Sequence, residues 1–287
     1  MVPSSVIFPD LHVHTSASDG QFSPEQVVTL ARERNVNLLA ITDHDTLDGF
    51  LQLKDKLPPK DIQIIPGVEI SAGGGTEVHI LGYGVHEGMK RLMDMLGEMR
   101  EERRERAEKM VRRLTYLGLD IDLAEVAPLS EGSLGRAHIG RAMVQKGLVG
   151  SLYEAFEKYL SPGRPGFEPR RKLKVTQVVR LLKEEGAVPV VAHPGLMKME
   201  MGDLRPLLYE WIDAGLMGLE VYHPSHLPNM IQTYDRLARE NGLLVTGGSD
   251  FHGEDGRHPE IGFMLSHWPA AGEDAQTFMS TLSQTKA

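Results

Sequence analysis

The chain has 287 residues, 41% of them hydrophobic and 25% charged, and it contains no cysteine. That composition fits a globular protein with ample core and excludes disulfides and thiolate metal sites, so any metal must be held by His, Asp and Glu. A net charge of −9 and a pI of about 5.7 argue against tight binding of long nucleic acid over the whole surface.

The first stretch, SVIFPDLHVHT, reads as a strand carrying the H-x-H pair His12 and His14, with Asp19 just beyond. SPEQVVTLARERN reads as a helix with Ser23 at the N-cap and Pro24 in the first turn. VNLLAITDHD, DIQIIPGVEIS and EVHILGYG follow as strands. Residues 88–172 have a different texture: one long charged helix, the shorter helices RAHIGRAMVQKG and SLYEAFEKYL, and the basic return loop SPGRPGFEPRRKLK. The Arg-rich helix reads as a solvated face laced with Glu–Arg pairs. Three helix–strand units complete the pattern: TQVVRLLKEEG with AVPVVAHPG, LRPLLYEWIDAG with LMGLEVYHPSH, and NMIQTYDRLARENG with LLVTGGSDFHG. Gly186, Gly215 and Gly242 end those helices, as left-handed C-caps prefer. No apolar stretch reaches membrane-spanning length and the N-terminus has no signal-peptide pattern, so the cytoplasm is the expected location and no membrane partner is expected.

Roughly seven strands, most paired with a helix, indicate a parallel α/β barrel or open sheet. The polar residues favour the barrel, because they cluster at strand ends, where such barrels place their chemistry. They are His12, His14 and Asp19; Asp43, His44 and Asp45; Glu69; His79; His193; His223 and His226; Asp250 and His252. H-x-H alone is a weak motif in a chain with 12 histidines. The coincidence of the whole set carries the argument. Imidazoles and carboxylates converging on one dry rim are costly to bury unless divalent cations bind them, and His with carboxylate suits Zn2+, Mn2+ or Fe2+. More ligands are present than one ion accepts, which predicts two or three ions.

DLHVHTSASDG, ITDHDTLDGF, PGVEIS, HILGYG, VVAHPG and GGSDFHG together resemble the motifs of the PHP (polymerase and histidinol phosphatase) superfamily. The resemblance implies a distorted (β/α)7 barrel, residues 1–87 and 173–287, with residues 88–172 as a helical insertion over its mouth. It also implies a di- or trinuclear metal centre that hydrolyses phosphoesters. Position by position, His12, His14, Glu69 and Asp250 would hold one ion. Glu69 would bridge to a second, bound also by His79 and His193, and Asp19, His44 and His252 would hold a third. GRAHIGRAMVQKG with the basic loop is similar to the branch acting on nucleoside 3′,5′-bisphosphates and RNA 5′ ends, with Ala137 where that branch has proline. The expected substrate is therefore a small nucleotide or short RNA, attacked by a metal-bound hydroxide, and no large protein partner is implied.

Glu69, His193 and Asp250 are thus the expected catalytic centre, with His223 as a phosphate ligand or general acid. Arg136, His138, His226, Arg164 and Arg170 are expected to bind substrate, with Arg171 beside them. Asp43 or Asp45 is expected to orient a ligating imidazole, or, for Asp45, to cap the next segment. His86, His258 and His267 read as surface residues. No Cys nucleophile or G-x-S-x-G motif is present, which disfavours a covalent intermediate. Histidinol phosphate is the near alternative substrate, and a non-catalytic accessory module the alternative of another class. An amidohydrolase-type barrel would bridge its metals with a carboxylated lysine, where this chain has Glu69.

Overall fold

The computed structural model describes residues 6–54, 56, 61–73, 77–130, 132–170, 173–197, 199–253 and 259–285. Seven strands lie side by side in chain order: β1 (Pro9–Val13), β2 (Leu38–Ile41), β3 (Gln63–Ala72), β4 (Val78–Tyr83), β5 (Val188–Val191), β6 (Gly218–Tyr222) and β7 (Leu244–Gly247). Every residue of β1, β2, β5, β6 and β7 is buried, as apolar runs covered on both faces require. The outer layer comprises α1 (Pro24–Glu33) and α2 (Asp48–Lys54) in the first half. The stretch between β4 and β5 forms α3 (Lys90–Tyr116), α4 (Leu123–Val126), α5 (Arg136–Gln145), α6 (Leu152–Ala155) and α7 (Val175–Glu184). The second half adds α8 (Met201–Asp213), α9 (Pro228–Glu240) and α10 (Ala271–Thr285).

Local chemistry explains these boundaries. Ser23 caps α1 through a capping box, with Ser23 N–H donating to Gln26 Oε1 at 2.8 Å. Gly186, Gly215 and Gly242 have φ of 85°, 111° and 64° after α7, α8 and α9, the left-handed conformation that glycine adopts without a Cβ penalty. The sequence pattern did not predict α10, although Ala271, Ala275, Phe278 and Leu282 recur at helical spacing and are buried. Phe278 packs edge-on against Tyr83 of β4, with ring centroids 4.9 Å apart.

The barrel is nearly closed and is not uniformly parallel. β4 is antiparallel to both β3 and β5. The link from Ala72 to Val78 is too short for the crossover that a parallel neighbour needs, so the chain turns back. The first residues of β4 therefore lie at the rim where the parallel strands end. Closure between β1 and β7 uses loop bonds: Asp250 N–H donates to His12 O and His14 N–H to Phe251 O, both at 2.9 Å. Buried Asp10 reinforces the seam by accepting from Ser249 N–H at 2.9 Å and Gly262 N–H at 2.7 Å.

The apolar interior has three parts, one of them packing α1 against β1 and β2 through Val27, Ala31, Val13, Leu39 and Ile41. The barrel core includes Leu92, Leu96 and Met99 from the first half of α3. A separate cluster joins Met110, Val111 and Leu114 from its second half to Val126, Ile139, Met143 and Leu160. One helix thus roots the inserted segment in the barrel and supplies a wall of its core. Its expected solvated face holds for Arg104, which pairs with Glu101 and Glu108. It fails for Arg103, which is only 9% exposed and turns into the barrel rim.

Candidate metal centre

β1 delivers the H-x-H pair to the rim. Alternation along a strand sends residues i and i+2 to one side, and the Nε2 atoms of His12 and His14 lie 3.2 Å apart. Glu69 Oε2 is 3.4 Å from the first and 3.2 Å from the second. Asp250 Oδ1 stands at 3.4 and 3.2 Å from the same nitrogens. Both carboxylate oxygens thus stand within 3.4 Å of both imidazole nitrogens, and His12, His14 and Asp250 form one set whose potential ligand atoms all lie within 4.8 Å of one another.

The other carboxylate oxygen, Glu69 Oε1, meets His79 Nδ1 at 2.7 Å and His193 Nε2 at 2.9 Å. His79 reaches the site because it opens the reversed strand β4. A further group collects round Asp19, whose Oδ1 is 3.2 Å from His252 Nε2 and 3.8 Å from His14 Nδ1. His44 Nε2 is 3.9 Å from Asp19 Oδ2, while its Nδ1 lies 3.0 Å from Glu69 Oε2. Asp19, His44, His252 and His14 form one set whose potential ligand atoms all lie within 4.8 Å of one another. All nine residues expected as ligands therefore converge. His14 joins two groups, and His44 stands between Glu69 and Asp19.

The donor set fits divalent cations on a second ground. Glu69 Oε2, His44 Nδ1 and Asp19 Oδ1 are buried and make no hydrogen bond, although imidazoles or carboxylates stand close by. Buried polar atoms left this way are costly unless an ion occupies the point they share. Backbone geometry supports the aim of these side chains: His193 and Asp250 have φ of 24° and 52°. Such conformations cost about 1–3 kcal/mol each and persist where surrounding structure enforces them.

Electrostatics shows what the rim demands. Burial pushes the Glu69 carboxyl up, but His44, His79 and His12 hold it well below the usual range. Asp19, opposed by burial, is held low by His252, His44 and His14, and Asp250 by His12, His252 and His14. Burial lowers the imidazoles, yet the carboxylates win at His14, raised to about 10, and at His79, raised to about 9. At His44 burial prevails and the pKa falls. One buried and two partly buried carboxylates at one rim call for positive charge, from protons or from cations.

Of the aspartates expected to orient an imidazole, Asp43 reaches His14 only through Ser18, whose Oγ is 3.4 Å from His14 Nδ1. Asp43 accepts from Thr15 N–H and Thr15 Oγ1, both at 2.8 Å, and from Ser18 Oγ at 2.5 Å, shaping the loop after β1. Asp45, at φ 54°, binds Ser71 N–H at 3.0 Å, Arg103 at 2.6 Å and Arg170 at 2.9 Å. A carboxylate that does contact a candidate ligand is Glu220 of β6, 3.0 Å from His12 Nδ1.

A small cavity opens beside the ligands. Its lining includes His44, His79, Ser71 and Phe156, together with the guanidinium groups of Arg103, Arg106, Arg136 and Arg170. Arg136 lies 5.5 Å over the Phe156 ring, and Phe167 is flanked by Arg106 at 5.5 Å and Arg136 at 5.9 Å. Burial and the neighbouring cations Arg136, Arg103 and Arg170 lower Arg106 to about 10. Asp45 answers Arg103 and Arg170, whereas the carboxylate of Glu77 is 3.9 Å from Arg136. Like charges crowded into a half-buried cavity are what an anionic ligand neutralises. Arg103 and Arg106 were missed because their spacing resembles a solvated helix.

Several expected substrate contacts lie elsewhere. His138 is fully buried and outside the cavity lining; its Nδ1 accepts Gly135 N–H at 2.9 Å, capping α5, while its buried Nε2 makes no hydrogen bond. His226 accepts Gly195 N–H at Nε2 (3.1 Å) and donates from Nδ1 to Val221 O (2.8 Å), which commits both ring nitrogens. His223 accepts Ser225 N–H at Nδ1 (3.1 Å), so its Nε2 carries the proton and points at Asp250 Oδ2, 3.3 Å away. Arg164 is exposed and outside the cavity lining, and His86 and His267 are exposed. Arg171 and His258 fall outside the described residues.

Comparison with known proteins agrees with this geometry. The PHP domain model matches residues 10–162. The phosphoribosyl 1,2-cyclic phosphate 1,2-diphosphodiesterase of Eggerthella lenta is 34% identical, covering 89% of this chain and 98% of the relative. The 3′,5′-nucleoside bisphosphate phosphatase of Chromobacterium violaceum is 33% identical over 86% of this chain and 89% of its own length. The 5′-3′ exoribonuclease Rnm of Escherichia coli is 32% identical, with coverages of 85% and 84%. Among solved structures, a C. violaceum amidohydrolase with bound sulfate and no metal superposes with a TM-score of 0.81 at 31% identity, over 90% of both chains. A candidate metal-dependent phosphoesterase of Bifidobacterium adolescentis gives 0.80 at 28% identity, over 90% of this chain and 94% of that one.

Proposed function

This chain belongs to the PHP domain family and is a phosphoester hydrolase; from that premise we propose that its substrates are nucleotides carrying a second phosphate, nucleoside 3′,5′-bisphosphates foremost. The observation that carries this reading is the cavity with four guanidinium groups directly beside the candidate metal ligands. One phosphate would sit among the ligands for cleavage, and the other would be gripped by arginine forks.

His12, His14, Glu69 and Asp250 would hold one cation, His79 and His193 with Glu69 a second, and Asp19, His44 and His252 a third. Cations bound there supply water acidified toward a pKa of ~7 and draw charge from the phosphoryl oxygens. The chain's own groups do the rest. Arg106 and Arg136, held against Phe156 and Phe167, orient the distal phosphate without needing to reorganise. Asp45 keeps Arg103 and Arg170 aimed at the cavity wall. With Nδ1 engaged as an acceptor, His223 offers its Nε2–H beside Asp250 as a hydrogen-bond donor to a phosphoryl oxygen.

The test is a substrate panel with Mn2+-reconstituted protein: adenosine 3′,5′-bisphosphate, adenosine 5′-monophosphate, a short 5′-phosphorylated RNA and histidinol phosphate. The bisphosphate is expected to give the highest kcat/KM. Phosphate release from histidinol phosphate alone would overturn the substrate assignment. A second reading, removal of nucleotides from the 5′ end of short RNA, is favoured by exposed Arg164 beyond the cavity and by the likeness to the E. coli exoribonuclease. Turnover of the RNA with little action on the bisphosphate would select it.

A further inference from the structure

We propose that Glu220 is a positioning residue that fixes how two candidate metal ligands from different groups, His12 and His193, face the centre; the inference rests on the metal-centre reading above. Glu220 lies in β6, is fully buried, and presents one carboxylate oxygen to each partner. Oε1 is 3.0 Å from His12 Nδ1, and Oε2 accepts the His193 backbone N–H at 2.7 Å.

A carboxylate can only accept, so Nδ1 of His12 must carry a hydrogen. The Nε2 lone pair of His12 is then left for the rim, where Nε2 stands 3.4 Å from both Glu69 Oε2 and Asp250 Oδ1. His12 has little other freedom: a side chain at Gly248 would lie 2.5 Å from its Cβ, and its ring stacks on that of His193 at 5.5 Å. At the other end, His193 has φ of 24°, a conformation that histidine holds only when something pins it. The bond from its N–H to Glu220 is that pin, and it aims Nε2 at Glu69 Oε1, 2.9 Å away. One acid on β6 thus sets the tautomer of a ligand on β1 and the backbone of a ligand after β5.

Glu220→Gln separates this role from bulk. The amide has the same shape but one acceptor and one donor, and the two partners both donate. With its oxygen toward His193 N–H, its NH2 faces His12 Nδ1 and favours the tautomer protonated at Nε2, which cannot ligate. Turned round, the NH2 abuts His193 N–H. The expected result is Mn2+ affinity about 10–100-fold weaker than wild type by titration calorimetry. The far-ultraviolet circular dichroism of metal-free E220Q should match that of metal-free wild type. Mn2+ binding equal to wild type would overturn the role of Glu220. Wild-type protein that binds no Mn2+ would instead overturn the metal centre, and the proposal with it. Should E220Q not fold, histidine-selective 15N spectra of Zn2+-loaded wild type still decide the tautomer, with His12 expected to be ligated through Nε2 and protonated at Nδ1. Ligation through Nδ1 would overturn it.

Discussion

Arg103, on the inserted helix α3, and Asp45, in the turn after β2, lie 2.6 Å apart, and both are buried. The pair joins the wall of the arginine-lined cavity to the turn that carries the candidate ligand His44. Burial opposes the Asp45 charge, but Arg103 and Arg170 hold its pKa at about 2, against an ordinary value of 3.8. A depressed carboxyl contributes stability above its unfolded pKa and loses it as pH falls through the folded one. The urea midpoint should therefore decline between about pH 4 and 2 in wild type, and less steeply in Asp45→Asn. Asp45→Ala should cost roughly 3–5 kcal/mol by leaving two buried cations unanswered.

Binding of divalent cations should release protons. His14 and His79, with pKa values near 10 and 9, carry protons at pH 8 when only carboxylates surround them. Ligation requires their neutral forms. Calorimetric titration of Mn2+ in buffers of differing ionisation enthalpy should show net proton release at pH 8, smaller at pH 10. Buffer-independent heats at pH 8 would contradict the ligand assignment of these imidazoles.

Loss of either guanidinium that Asp45 does not answer should separate substrates. Arg106→Ala and Arg136→Ala are each expected to lower kcat/KM for a 3′,5′-bisphosphate by about 1–3 kcal/mol, with a smaller loss on a simple monophosphate. Arg164→Ala should be near neutral on the bisphosphate. Equal losses on both substrates would remove the arginines from distal-phosphate recognition.

His226→Ala should behave as a structural change. Two backbone bonds disappear, and unsatisfied Val221 O and Gly195 N–H should cost about 1–3 kcal/mol each where water cannot replace them. The melting temperature should fall, while KM for the bisphosphate stays within a few-fold of wild type. A large KM effect without loss of stability would restore His226 to the substrate site.

What the sequence disclosed and what it hid have physical reasons. The nine candidate ligands were legible because each sits in a short motif within a strand or in the loop that follows one. The reversed strand β4 was not, because hydrophobic pattern is blind to strand sense; only the short link after Ala72 signals it. Glu220 carried a signal that went unused: an acid inside the apolar run GLEVY must be buried and must therefore have partners. His226 was over-read, since a histidine in a turn is as useful for capping backbone as for chemistry. Arg103 and Arg106 were hidden because which face of α3 meets the barrel depends on tertiary packing.

The inserted segment also grips the loop that carries Asp19. Arg141 on α5 donates to the Asp19 carbonyl at 2.5 Å, and Ser133 N–H donates to Ala17 O at 2.9 Å. The segment between β4 and β5 therefore also braces the loop that follows β1. Natural or engineered exchange of this segment to change selectivity has to preserve those two anchors, because a transplant lacking them would leave one ligand unmoored while the barrel itself stayed intact.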